Sequence, residues 1–202
     1  MARKARGGRE RKTASTAVRR VCYSVAMSLD GFIAGPNGEI DWILMDPDID
    51  FAAMTSRFDT MIMGRGTYEA TKQMGGGGGG GGSSSPDVQV YVVSRTMRKA
   101  DHPGVNVVDD PAPLVAGLRA KPGKDLWLFG GGSLFRSLVE LELVDTVEVA
   151  VIPVLLGEGV PLLPPPSTRV KLELTGQKVY PKTGIVSLDY IVQYARAPKR
   201  RK

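Results

Sequence analysis

The chain has 202 residues, of which 42% are hydrophobic and 24% charged, a composition that excludes an intrinsically disordered, collagen-like or disulfide-stapled protein and predicts one domain. The net charge of +6 comes from the ends: eight Lys and Arg residues lie in 1–20 and five in 196–202, which leaves 14 basic against 20 acidic residues between them. We therefore expect basic tails at residues 1–19 and 196–202, and no specific nucleic-acid partner.

The first predicted element is a strand over residues 20–28, where apolar residues alternate. It contains Cys22, the single cysteine, so no internal disulfide can form and a thiol packed in the strand is expected. A reducing compartment follows, and we predict the cytoplasm. An organelle transit peptide over residues 1–20 is the alternative. No apolar stretch approaches the roughly 18 residues of a membrane span, so we expect no membrane partner.

The later elements follow from hydrophobic periodicity. Strands are predicted at residues 60–63, 88–94, 105–108, 126–129, 146–154, 169–180 and 185–194. Helices are predicted at 47–58, at a brief segment ending with Lys72, at 112–120 and at 133–143. Strands alternate with helices and then give way to long strands alone, which indicates an α/β layered fold whose mixed sheet finishes with antiparallel strands.

A run of glycine and serine at residues 75–85 interrupts this pattern. Such a run cannot pack a core, and we predict a flexible loop inserted between two elements. A boundary between two domains is the alternative. The insertion is favoured because the segment before it has too few strands to close a core alone.

Two predicted strands run through glycines directly into a helix start, at residues 63–67 and 129–133. A helix start offers unpaired N–H groups and a partial positive charge, and glycine lets a phosphate approach the backbone. Each segment is therefore a candidate pyrophosphate cradle, although an ordinary tight turn explains either one alone. A third strand end carries Ser94 and Arg95, a pair that suits a phosphate monoester or is simply a solvated strand exit.

Taken in order, the segments 64–69, 94–96 and 130–135 resemble the dinucleotide-binding elements of the dihydrofolate reductase fold. Residues 26–42 resemble the first strand and mobile loop of that fold, and residues 145–159 are more similar to the reductase domain of bacterial riboflavin-biosynthesis enzymes and its stand-alone relatives. The resemblance covers about residues 20–195. It implies an α/β, dihydrofolate reductase-like domain with a mostly parallel central sheet flanked by helices, an antiparallel C-terminal finish and an inserted loop at 75–85.

The resemblance also implies NADPH as the cofactor. Arg65 and Thr67 would meet phosphates at one helix start, Ser94 and Arg95 the adenosine 2′-phosphate, and residues 130–133 the pyrophosphate, with a cis peptide joining the first two glycines. Ala26, Ile33 and the loop at 37–38 would border the nicotinamide. The implied cofactor-binding residues are Ala26, Ile33, Gly64, Arg65, Gly66, Thr67, Ser94, Arg95, Gly130, Gly131, Gly132 and Ser133.

Substitutions in the glycine triplet, residues 130–132, would distinguish a phosphate cradle from a tight turn. If Gly131 lies against the pyrophosphate, a β-carbon there would remove NADPH binding more than folding stability. Gly132 is expected to tolerate alanine, because it opens a helix.

The resemblance also implies Asp50 as the catalytic residue, because Asp50 matches the carboxylate that dihydrofolate reductases place near the start of their first helix. A carboxylate beside the nicotinamide could hold or relay a proton. The competing interpretation is that Asp46, Asp48 and Asp50 cap a helix. His102 lies in a predicted surface turn, and one His and one Cys cannot supply the zinc site of a deaminase domain, so no metal is expected.

These features favour an NADPH-dependent oxidoreductase that passes hydride to a small molecule, pyrimidine-like or phosphoribosyl. The alternatives are a folate reductase, a nucleotide-binding module without catalysis, and a nucleic-acid binder that acts through its basic tails. The sequence leaves a homodimer open.

Overall fold

The computed structural model describes residues 18–73 and 88–194. Its strands are β1 (Val21–Ser28), β2 (Phe32–Ala34), β3 (Phe58–Gly64), β4 (Gln89–Val93), β5 (Asn106–Val108), β6 (Asp125–Gly130), β7 (Thr146–Ile152), β8 (Val160–Pro161), β9 (Lys171–Tyr180) and β10 (Ile185–Gln193). Its helices are α1 (Phe51–Thr55), α2 (Arg65–Gln73), α3 (Pro111–Arg119) and α4 (Gly132–Glu140), with a short 3₁₀ turn at Lys99–Asp101.

Eight strands form one sheet in the order β5–β4–β3–β6–β1–β7–β10–β9. Neighbours from β5 to β7 are parallel, whereas β10 runs antiparallel to both β7 and β9. The predicted α/β fold with a mostly parallel sheet and an antiparallel C-terminal finish is confirmed. Strands β2 and β8 form a separate antiparallel pair, which the sequence patterns did not predict.

Helices cover both faces of the sheet. Val115 of α3 and Leu138 of α4 pack on the face that holds Tyr23, and Tyr68 of α2 packs on the opposite face, which holds Cys22. Neighbouring residues of β1 thus point into opposite cores, as the period of a strand requires. Cys22 is 0% exposed, and burial raises the pKa of its thiol to about 11. The prediction of a packed strand thiol is confirmed.

The helix predicted at residues 47–58 is wrong in both bounds. Helix α1 has only five residues, and Phe58 begins β3 instead of ending a helix. Upstream, the Asp46 carboxylate accepts the N–H of Asp48 at 2.8 Å, a local bond that stabilises a turn. Downstream, Phe58 stacks on Trp127 with 5.4 Å between ring centroids. Burial against the neighbouring strand therefore overrides the helical spacing of the apolar residues.

Arg19 belongs to the folded domain and not to the basic tail in which the sequence placed it. Its side chain is 5% exposed and forms an ion pair with Asp59. It also donates to Oγ1 of Thr60 at 2.8 Å and to the carbonyl oxygen of Lys124. These contacts tie the start of β1 to β3 and to the turn before β6, so the folded part begins before residue 20.

The inserted loop predicted at residues 75–85 lies outside the described residues, as do residues 1–17 of the N-terminal tail and the whole of the C-terminal tail, 196–202. Among residues 18–73 and 88–194, no helix is long and apolar enough to cross a membrane. His102 lies beside the 3₁₀ turn, half-buried, with its ring edge-on to Tyr68 at 5.5 Å between centroids.

Candidate functional site

A cleft of about 1520 Å³ opens at the carboxyl ends of the parallel strands. Strand β3 ends at Gly64, and α2 begins at the next residue; β6 ends at Gly130, and α4 begins two residues later. Because β3 and β6 are parallel neighbours, both helix starts meet at the same edge of the sheet. From there the cleft extends over β1, β7 and β10.

The glycine triplet shapes the first end of the cleft. The peptide between Gly130 and Gly131 is cis, as the resemblance implied. Gly131 is the N-cap of α4 and supplies no side-chain cap, so no side chain covers the N–H groups of the first turn. A β-carbon at Gly131 would lie 3.1 Å from Oγ1 of Thr67 in α2. The two helix starts therefore meet closely at Gly131 and Thr67, and the uncapped N–H groups beside Gly131 have the polarity that suits a pyrophosphate.

Gly132 has a different role from the one predicted. A β-carbon there would lie 2.4 Å from the carbonyl oxygen of Pro161 and 3.1 Å from that of Leu162. Contacts under 3.0 Å with backbone atoms require the main chain to move. The expected tolerance of Gly132 is therefore wrong, because the backbone that includes β8 packs directly against the start of α4.

Arg65 and Arg95 lie at the glycine end of the cleft, the end beside the glycine triplet, and they differ in their side-chain contacts. Arg65 donates to Oε1 of Glu69 at 2.8 Å and to Oγ1 of Thr96 at 2.9 Å, so it links α2 to the loop after β4. Arg95 lines the cleft and is exposed. Arg95 is thus the guanidinium more available to a phosphate monoester.

Ser94 lies just outside the cleft wall. Its Oγ accepts the N–H groups of Thr96 at 3.2 Å and of Met97 at 3.1 Å. The hydroxyl therefore stabilises the turn that presents Arg95. Its contact with a 2′-phosphate stays a prediction.

The loop after β1 is fixed by a carboxylate that the sequence patterns did not single out. Asp30 accepts the N–H groups of Leu156 at 3.0 Å and of Gly157 at 2.7 Å, and it accepts the hydroxyl of Ser28 at 2.6 Å. These hydrogen bonds, that from Ser28 most of all, lower the pKa of Asp30. They join the segment that carries Ile33 to the segment after β7. Ala26 and Ile33 both line the cleft.

Asp50 also lines the cleft. Its Oδ1 accepts the N–H of Ala53 at 2.8 Å, so Asp50 is the N-cap of α1. Oδ1 of Asp50 therefore has the helix-capping role that the competing interpretation predicted. The proton-holding role stays a prediction.

The floor of the cleft holds three charged residues that the sequence analysis missed. Arg57 forms a two-pronged ion pair with Glu148, with Nη1 3.2 Å from Oε1 and Nη2 2.5 Å from Oε2. Asp189 stands opposite Glu148 in the pairing of β7 with β10. Burial, and then the charge of Glu148, raise the pKa of Asp189. The available signal was Glu148 and Asp189, each an acidic residue between apolar neighbours in a predicted strand. Within the described part of the chain, no cluster of three or more His, Cys, Asp or Glu residues could hold a metal ion.

This strand order, with two glycine-led helix starts facing one cleft, defines a protein of the dihydrofolate reductase-like fold. The chain belongs to the RibD C-terminal domain family, whose model matches residues 19–186. It is 34% identical over 183 residues to Uncharacterized protein YyaP of Bacillus subtilis (strain 168), a match that covers 85% of this chain and 94% of that protein.

Two solved structures show the same fold. A protein of Shewanella sp. PV-4, provisionally assigned to riboflavin biosynthesis, superposes with a TM-score of 0.71 at 24% identity, over 87% of this chain and 99% of that one. Dihydrofolate reductase from Enterococcus faecalis, complexed with NADP(H) and RAB-propyl, superposes with a TM-score of 0.59 at 20% identity, over 86% of this chain and 94% of that one.

Proposed function

We propose that the protein is an NADPH-dependent oxidoreductase that passes hydride to a small acceptor held in the cleft. The observation that carries this proposal is that the starts of α2 and α4 meet at the cleft, where Gly131 leaves the N–H groups of α4 without a side-chain cap. Oriented N–H groups and two nearby guanidinium groups, of Arg65 and Arg95, suit a dinucleotide that carries an additional phosphate. The fold is also that of a reductase solved with NADP(H).

Different residues along the cleft would bind the phosphates, border the nicotinamide and supply the proton. When bound, NADPH supplies the hydride through its nicotinamide ring. The helix starts hold the phosphates, and Ala26 and Ile33 leave a flat apolar border for the ring. The cap of α1 uses Oδ1 of Asp50. Its Oδ2 is the atom proposed to carry the proton that the acceptor gains together with the hydride.

A titration of the full chain with NADPH and NADH tests this proposal. Trp127 lines the cleft, so the intrinsic fluorescence of the protein should report binding. We expect saturable binding of both cofactors, with NADPH bound at least tenfold more tightly, since one additional charged contact is worth about 1.5–3 kcal/mol. Absence of saturable NADPH binding would contradict the proposal.

The same preparation separates the remaining alternatives. Dihydrofolate added together with NADPH tests whether the protein is a folate reductase, because a folate reductase would oxidise NADPH as it consumes dihydrofolate. Cofactor binding without oxidation in the presence of any pyrimidine or folate acceptor would favour a nucleotide-binding module.

A further inference from the structure

A row of polar side chains crosses the floor of the cleft. Ser24 on β1, Glu148 on β7 and Asp189 on β10 are direct neighbours in the register of the sheet, and all three line the cleft. Strand β7 lies two strands from β6. Because neighbouring strands are about 4.8 Å apart, Glu148 lies roughly 10 Å across the sheet from the strand that ends in the glycine triplet.

The adjacent row carries only small side chains. Ala26, Ala150 and Ser187 stand side by side on β1, β7 and β10 and also line the cleft. Successive rows on one face of a sheet are about 6.6 Å apart, since a strand rises about 3.3 Å per residue. One flat ring can therefore lie over the small row with its edge against the carboxylates of Glu148 and Asp189.

Arg57 fixes the orientation of one of these carboxylates. Its guanidinium meets both oxygens of Glu148, whose side chain is 15% exposed. A planar, two-pronged pair of this kind holds the carboxylate in one orientation. Oε1 also accepts the hydroxyl of Thr146 at 3.5 Å. Oε2 keeps a second lone pair, so Glu148 can accept a further hydrogen bond from the cleft.

The charge of this end of the cleft opposes a phosphate. The carboxylates that line it belong to Asp48, Asp50, Glu148 and Asp189. The cations that line it are Arg57 and Lys178. Arg57 is paired with Glu148, and Asp48 is paired with Lys182 at 2.9 Å, which leaves four carboxylates against three cations. Carboxylates thus outnumber cations here, whereas Arg65 and Arg95 lie at the glycine end.

We propose that Glu148, oriented by Arg57 and aided by Asp189, selects the hydride acceptor, and that the acceptor is a flat ring with N–H donors and no phosphate. This inference rests on the proposed function, because Ala26, at one end of the small row, then borders the nicotinamide, and the acceptor ring lies beside it over Ala150 and Ser187. It chooses the ring-bearing, pyrimidine-like class over a phosphoribosyl compound.

Three small probes test the proposal by binding alone. Benzamidine is a flat cation with N–H donors, benzamide is a neutral molecule of the same shape, and phenyl phosphate is an anion. Calorimetric titration of the full chain should show benzamidine bound most tightly and phenyl phosphate most weakly. Glu148→Gln should weaken benzamidine binding about 10- to 100-fold, as the loss of a charge-assisted hydrogen bond does. Asp189→Asn should weaken it in the same direction.

The matched control is Glu140→Gln, which removes a carboxylate from the exposed side of α4, outside the cleft. It should leave benzamidine binding unchanged, and Glu148→Gln should leave NADPH binding unchanged. Tighter binding of phenyl phosphate than of benzamidine would overturn the inference, as would parental benzamidine binding by both Glu148→Gln and Asp189→Asn. Absence of NADPH binding by the unmodified chain would instead contradict the proposed function. The two failures are therefore distinguishable.

Discussion

Replacing Gly132 by alanine is expected to destabilise the fold by about 3 kcal/mol, near the upper end for an overpacked site. The new β-carbon would lie 2.4 Å from the carbonyl oxygen of Pro161, and only movement of the main chain can relieve that contact. For a protein of this size the thermal midpoint should fall by roughly 6–12 °C. Differential scanning calorimetry measures this directly.

Gly131→Ala is the matched comparison. Gly131 has a φ of −98°, which any residue adopts, and its β-carbon would meet only the side-chain Oγ1 of Thr67, at 3.1 Å. The variant should keep a midpoint close to that of the parent. It should bind NADPH much more weakly, because the methyl group would lie at the helix starts where the pyrophosphate is proposed to bind. A parental midpoint for Gly132→Ala would contradict the described packing of β8, and parental NADPH binding by Gly131→Ala would reduce the triplet to a turn.

Arg95→Gln is expected to weaken NADPH binding by about 1.5–3 kcal/mol, which is roughly 10- to 150-fold, and to leave NADH binding nearly unchanged. The reason is that only NADPH carries the 2′-phosphate that Arg95 is proposed to meet. Arg65 is a poorer choice for this test, since its guanidinium also links Glu69 to Thr96. Equilibrium titration with both cofactors gives the ratio.

Arg98→Gln provides the control for the Arg95 variant. Arg98 is an exposed arginine of the same loop that does not line the cleft. Its replacement should change neither affinity. Equal losses for NADPH and NADH in Arg95→Gln would show that Arg95 does not discriminate between the cofactors.

The features that the sequence predicted well are local ones. Strands β1 and β6 are short apolar runs, and glycines mark the point where β3 and β6 give way to helices. Both signals come from neighbouring residues, so periodicity and turn chemistry detect them. The order of the glycine segments along the chain then carried the resemblance to the dihydrofolate reductase fold.

The features that the sequence did not predict depend on contacts between distant segments. Gly132 is constrained by the carbonyl oxygen of Pro161, and Glu148 by Arg57, 91 residues away. Neither partner leaves a periodic signal near the residue it constrains. The length of helix α1 was predicted wrongly for a related reason, because Phe58 is buried against Trp127 of another strand. Tertiary packing decides such positions, and local propensity does not.

Hydrogen exchange of the backbone amides, with and without saturating NADPH, locates the cofactor on the chain. First-turn N–H groups have no partner within their helix and exchange readily unless a ligand accepts their hydrogen bonds. We predict that NADPH slows exchange at the starts of both α2 and α4, around Thr67 and Ser133, and leaves the outer strand β9 unchanged. Saturating NADPH that slows exchange at neither helix start would contradict a dinucleotide site between them.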